Sequence, residues 1–174
     1  LSPAVKALGL ELGQKAVSAG YPLVTGGLGG VMTAVSRGAR QAPERREGDV
    51  IGVLPGYDRS AANAYVDIVI PTGMQLGRNL LVVAMADVVV ALAGGAGTLC
   101  EMAAAWQLGK PIVALRPLGG WAEELAGRRL DERFAQPIAI AESVDEALAI
   151  AGALCQRGGS EPGDIGSGWR QRGA

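Results

Sequence analysis

The 174-residue sequence predicts an α/β fold, a parallel sheet with helices on both faces. Three observations lead there. Short apolar runs alternate with segments of helical period along most of the chain. One of them, Val88 to Leu92, is apolar without a break, as a strand buried on both faces must be. Glycine, 27 residues in all, gathers in clusters directly after such runs, where a turn approaches a ligand or a neighbouring helix.

Taken in order, residues 3–19 read as a helix with Val5, Leu8, Leu12 and Ala16 near one face, stopped by Gly20. Strands are expected over 21–25, 50–54, 66–70, 87–92 and 112–115, with a short last one over 138–140. Helices are expected over 31–40, 75–85 and 99–108, with a brief one near 121–125. Pro55-Gly56, Pro71-Thr72-Gly73 and Gly109-Lys110-Pro111 close strands or helices as turns. Ser143 is placed to cap a final helix through Leu154, with Asp145 and Glu146 in its first turn. A single domain over 1–155 and a mobile polar tail over 156–174 are expected. A parallel sheet ordinarily opens on a strand and this chain opens on a helix, so a first strand is expected to be missing from the sequence.

Composition narrows the function classes. Apolar residues make up 49% and aromatics only 4%, so the core is built from aliphatic side chains. Net charge is −1, with no block of one sign, which counts against nucleic-acid or membrane-surface binding. No apolar stretch reaches the length of a membrane span. Histidine is absent, which removes imidazole bases and His-containing metal sites. Cys100 and Cys155 form no disulfide framework, and the reading is a reduced, cytoplasmic protein.

Ligands of open parallel sheets sit beyond the carboxyl ends of the strands. Three segments are expected there. In Ala93 to Glu101 a buried strand runs into Gly94, Gly95 and Gly97 and then a helix, whose bare N–H groups attract an anion, with Thr98 adding a hydroxyl. Thr98 and Glu101 also have the spacing of a capping box, so Glu101 has a structural reading beside a chemical one. In Gly26, Gly27, Leu28, Gly29 and Gly30 a second turn enters a helix. Met32 stands where a dinucleotide fingerprint needs its third glycine, and no Walker lysine is present. The third segment carries Thr72, Gly73, Met74, Arg78 and Asn79, with the Arg78 guanidinium suited to phosphate.

Thr25-Gly-Gly-Leu-Gly-Gly-Val-Met32, Ile51-Gly-Val-Leu-Pro-Gly56, Ile70-Pro-Thr-Gly73, Arg78-Asn79 and Gly94-Gly-Ala-Gly-Thr-Leu-Cys-Glu101 follow one another in the order of a known family. Over roughly residues 5–150 the chain resembles the LONELY GUY (LOG) superfamily, once mislabelled as lysine decarboxylases. Within it, the resemblance is strongest to the molybdenum cofactor carriers. It implies a Rossmann-like fold, a homodimer or larger homo-oligomer, and a small phosphorylated ligand, with the molybdenum cofactor as the implied carried ligand and no required cofactor. In the hydrolase branch a Pro-Gly-Gly-x-Gly-Thr-x-x-Glu motif holds a nucleotide phosphate, and its Glu and an upstream Arg cleave the base–ribose bond. Those roles map onto Glu101 and Arg78. Here Ala93 replaces the proline and Cys100 the acidic residue before the last Glu, so binding is expected to outlast hydrolysis. The readings carried forward are a carrier for a phosphorylated pterin or nucleotide, a nucleoside 5′-monophosphate phosphoribohydrolase and, with charge balance and few aromatics against it, a single-stranded DNA binder. Lysine decarboxylation fails, because Lys6, Lys15 and Lys110 sit in no pyridoxal-phosphate motif.

Overall fold

The structure is a computed structural model, and it describes residues 1–157. The chain divides into two compact units, Leu1–Met85 and Ala86 onward. Each is built on its own three-stranded parallel sheet.

The first unit runs α1 (Pro3–Ser18), β1 (Leu23–Thr25), α2 (Val31–Arg40), β2 (Val50–Leu54), β3 (Ile68–Pro71) and α3 (Arg78–Met85). Its sheet has the order β1-β2-β3, with Thr25 opposite Gly52 and Leu54 opposite Pro71. The parallel register brings the three carboxyl ends to one edge. Helix α1 starts as its sequence dictates: Pro3 stands in the first turn and the Val5 N–H donates to Ser2 Oγ at 3.3 Å. Gly20, at φ +86°, lets the chain turn into β1.

Helices α1 and α2 pack backbone against backbone. A Cβ on Gly13 would overlap the Val35 carbonyl, and one on Gly38 the Leu10 carbonyl. Both glycines are buried inside helices, where glycine costs helix propensity, so close packing is what they supply. Beneath them Val17, Ala39, Ala42 and Val50 form a core cluster, with Leu23 and Val66 packed on it. Asp67, whose side chain is 3% exposed, ties this end of the sheet together. It accepts from Arg40 Nη1 at 2.8 Å, from Arg45 Nη2 at 2.5 Å and from the Val50 N–H at 3.1 Å.

The second unit runs β4 (Val89–Leu92), α4 (Ala96–Gln107), β5 (Ile112–Leu115), α5 (Gly120–Leu125), β6 (Ala139–Ala141) and α6 (Val144–Arg157). Its sheet has the order β4-β5-β6, again all parallel, and every residue of the central β5 is buried. Trp106 is a packing residue. Its ring meets Phe134 edge to face at 5.4 Å, and its Nε1–H donates to Asp131 at 2.9 Å.

The elements follow the alternation of apolar runs and helical segments, with instructive shifts at their ends. Strands β1, β3 and β4 each start two residues later than the apolar runs suggest. At β1 the Tyr21 N–H still serves helix α1, donating to the Ala16 carbonyl, and Pro22 has no N–H to give. Segment 75–85 is a 3-10 turn over Gln75–Gly77 followed by α3. Helix α4 starts at Ala96, three residues before the expected 99, because the Leu99 N–H already donates to the Gly95 carbonyl. Gly95 is therefore the N-cap, Thr98 lies within the first turn, and the capping box of Thr98 and Glu101 is not formed. Ser143 does cap α6, accepting from the Glu146 N–H at 3.2 Å. That helix takes in Gln156 and Arg157, which were expected to open the tail; the rest of 156–174 lies outside the described residues. No helix among the described residues is long and apolar enough to cross a membrane.

Candidate functional site

In the first unit the site is built at the carboxyl ends of β1, β2 and β3. Gly26, directly after β1, is buried, and the Arg78 guanidinium lies flat enough on it that a Cβ would stand 2.5 Å from Cζ and Nη2. Arg78 is the first residue of α3, so its position beyond β3 delivers the cation to the turn beyond β1. Gly27 has φ +71°, and a Cβ there would sit 2.8 Å from Leu54 Cδ2 and 3.1 Å from the Gly52 Cα. A side chain at Gly26 would push the guanidinium away, and one at Gly27 would be strained whatever the space.

Hydrogen bonds fix the turn from beneath. The Gly27 N–H donates to Thr25 Oγ1 at 3.1 Å. Asn63 is the main clamp: its Nδ2 donates to the Gly27 and Leu28 carbonyls at 3.1 and 3.0 Å, and its own N–H to Gly27 at 2.8 Å. Thr33 Oγ1 donates to the Leu28 carbonyl at 2.9 Å. With these carbonyls turned inward, Gly29 and Gly30 remain exposed with open space where a Cβ would stand. Gly30, at φ +71°, is the N-cap of α2 and offers no side-chain cap, so the first N–H groups of that helix are available to an anion.

One strand further, Thr72 follows directly on β3. Its hydroxyl donates to the Leu54 carbonyl at 2.7 Å and accepts the Met74 N–H at 3.1 Å. Gly73, at φ +67°, donates to the Gly56 carbonyl at 3.2 Å, and Gln75, at φ +51°, to Pro55 at 2.9 Å. The phenol end of Tyr57 rests on Gly73, where any Cβ would overlap it, while the residue as a whole is 82% exposed. Met74 is 49% exposed, and Asn79 is 3% exposed inside α3.

In the second unit, Ala93 at φ +49° and Gly94 at φ +92° turn the chain from β4 into the Gly95 cap of α4. The start of α5 holds this turn. The Ala122 N–H donates to the Ala93 carbonyl and the Trp121 N–H to the Gly94 carbonyl, both at 3.0 Å. Gly120 presses so close that a Cβ would stand 2.5 Å from the Gly94 oxygen. The Thr98 side chain covers Gly94 on the other side. Gly95 and Gly97 are exposed, with open space at the Cβ position. Glu101 is half-buried on α4 and Cys100 is exposed.

Gly26, Gly27 and Arg78 are thus brought into one cluster in the first unit, and Gly94 and Thr98 touch in the second. Residues not read from sequence also build these turns. Asn63 gave no pattern, because its targets are carbonyls 36 and 35 residues away. Gly119-Gly120 carried a usable signal, a glycine pair shortly after a strand, the same feature that marks the other turns.

A family model described as the SLOG cluster4 family matches residues 2–148. A structure from a structural genomics consortium is 36% identical, with 88% of this chain and 91% of that one covered, at a TM-score of 0.80. The molybdenum cofactor binding protein of the phototrophic bacterium Rippkaea orientalis is 32% identical, with coverage of 88% and 89% and a TM-score of 0.73. The molybdenum cofactor carrier protein of Chlamydomonas reinhardtii is 31% identical, with coverage of 90% and 91% and a TM-score of 0.74. These likenesses bear out the Rossmann-like α/β fold.

Proposed function

The chain belongs to the SLOG cluster4 family, in the LOG superfamily beside the molybdenum cofactor carriers, and from that premise we propose that it binds and carries a phosphorylated, nucleotide-like ligand. The molybdenum cofactor, a phosphorylated pterin, is the proposed cargo. One observation carries the reading furthest: the guanidinium of Arg78 seated on the buried Gly26, at the sheet edge where α2 begins. A planar cation beside bare helix N–H groups is suited to a phosphate. Gly26, Gly27, Gly29 and Gly30 let the anion approach the main chain in the first unit. Gly94, Gly95, Gly97 and Thr98 offer the same chemistry in the second, with Thr72, Gly73, Met74 and Asn79 as support. The donors are N–H groups and a guanidinium, so the grip is on phosphate rather than metal.

Ala93 favours carriage over hydrolysis. Its φ of +49° is closed to proline, whose ring fixes φ near about −65°, so this turn does not have the shape a proline would give the hydrolase motif. Glu101 then serves α4 or ligand orientation rather than bond cleavage. The test is calorimetry of the full chain with molybdenum cofactor, a pterin phosphate and nucleoside monophosphates, with chromatography for released base. Binding without free base supports a carrier. Release of base and ribose 5-phosphate that is lost in Glu101→Gln assigns Glu101 to hydrolysis, and no binding to any of them defeats the reading.

A further inference from the structure

We propose that Tyr57 is the platform on which the planar ring of the ligand stacks, an inference that rests on the carrier reading and adds the part of the molecule the phosphate turns do not hold. Three observations converge on this residue. It stands three residues beyond the end of β2, on the sheet edge that also presents Gly26 and Arg78. Neighbouring parallel strands are about 4.8 Å apart, so that edge is the right width for a phosphorylated heterocycle.

Its seat is built. The loop 55–57 is tied to the loop 72–75 by the Gly73 N–H on the Gly56 carbonyl at 3.2 Å and the Gln75 N–H on Pro55 at 2.9 Å. The phenol end lies on Gly73, a position at φ +67° where a Cβ would collide with it. An aromatic ring is usually seated so in order to be buried. Tyr57 is instead 82% exposed, so its position is defined while its apolar surface is left uncovered. Met74, the residue after Gly73, is 49% exposed and offers a polarisable thioether beside the same loop. A ring held at its phenol end and otherwise uncovered, on the sheet edge that carries Gly26 and Arg78, suits a bicyclic heteroaromatic group such as a purine or pterin.

The full chain and its Tyr57→Leu and Tyr57→Phe variants are titrated with GMP, which has phosphate and ring, and with ribose 5-phosphate, which has phosphate alone. Thermal melting checks that the variants fold, and light scattering their mass. Tyr57→Leu should weaken GMP about tenfold or more, the effect of losing one base stack, and leave ribose 5-phosphate unchanged. Tyr57→Phe should keep both. The inference is overturned if Tyr57→Leu weakens both ligands equally, or neither. It is overturned too if that variant changes the mass of the assembly while GMP binding stays intact, which would make the ring a protein contact. In those cases phosphate binding by the parent still upholds the carrier reading. A parent that binds neither probe overturns both.

Discussion

Arg78 shows how a single side chain ties sequence to site. Its place just beyond a strand end was legible, because a short apolar run, Pro-Thr-Gly and then a cationic helix start form a local pattern. What it rests on was not legible. Gly26 lies 52 positions earlier, and only the parallel pairing of β1, β2 and β3 brings the two together. Arg78→Ala is expected to weaken phosphate-ligand binding by about 1.5–3 kcal/mol, the range for a charged hydrogen bond, as read by calorimetry. Arg78→Lys should recover only part of the loss, since an ammonium cannot reproduce a flat guanidinium contact. Thr98 is the opposite lesson. Its spacing to Glu101 matched a cap, yet two small residues ahead of it, Ala96 and Gly97, let α4 begin earlier. The cysteines divide by environment. Burial, with the nearby Asp87 charge, pushes the Cys155 thiol above its ordinary pKa, whereas Cys100 is exposed. The raised pKa leaves less of the Cys155 thiol as thiolate, which is the reactive form. Alkylation followed by mass spectrometry should show Cys100 labelled first.

Elements were legible where a period or a capping residue is local. The unbroken apolar strand at β4, the Ser143 cap of α6 and the Gly20 stop of α1 all follow from neighbouring residues. Contacts between elements were not. Gly13 and Gly38 look like weak points in two helices until α1 and α2 are seen against each other. Gly38→Ala would gain helix propensity in isolation. In the fold its methyl meets the Leu10 carbonyl, so overpacking should dominate and lower stability by about 1–3 kcal/mol. Urea denaturation decides the sign: a gain in midpoint would mean the helices part at little cost. The Asp67 clamp was hidden for the same reason. Its partners are Arg40, the last residue of α2, and Arg45, in the loop after it, 27 and 22 residues away.

At the scale of the molecule, the parallel sheets were legible because alternation of strand and helix leaves few other topologies. The division after Met85 was not, since Met85-Ala86-Asp87 carries no glycine, proline or charge run to mark it. Helix α3 leaves Leu80 at 53%, Leu81 at 36% and Met85 at 45% exposure, with Leu76 before it at 82%. A sequence of mean hydropathy +0.24 with such a helix face is expected to self-associate. Light scattering at micromolar concentration should give a dimer or larger, and Leu80→Glu should shift the mass toward the monomer. A monomeric parent would leave the exposed face to another role.

The glycine contacts between α1 and α2 also bear on where this protein can yield. At Gly13 and Gly38 the two helices meet main chain to main chain, with no side chain at those points to rearrange. Sliding one past the other would drive a carbonyl into a Cα, so the pair acts as a stiff anvil under β1. The turn at residues 26–30, clamped by Asn63 and Thr33, leads straight into α2 and so rests on a base that does not give beneath it.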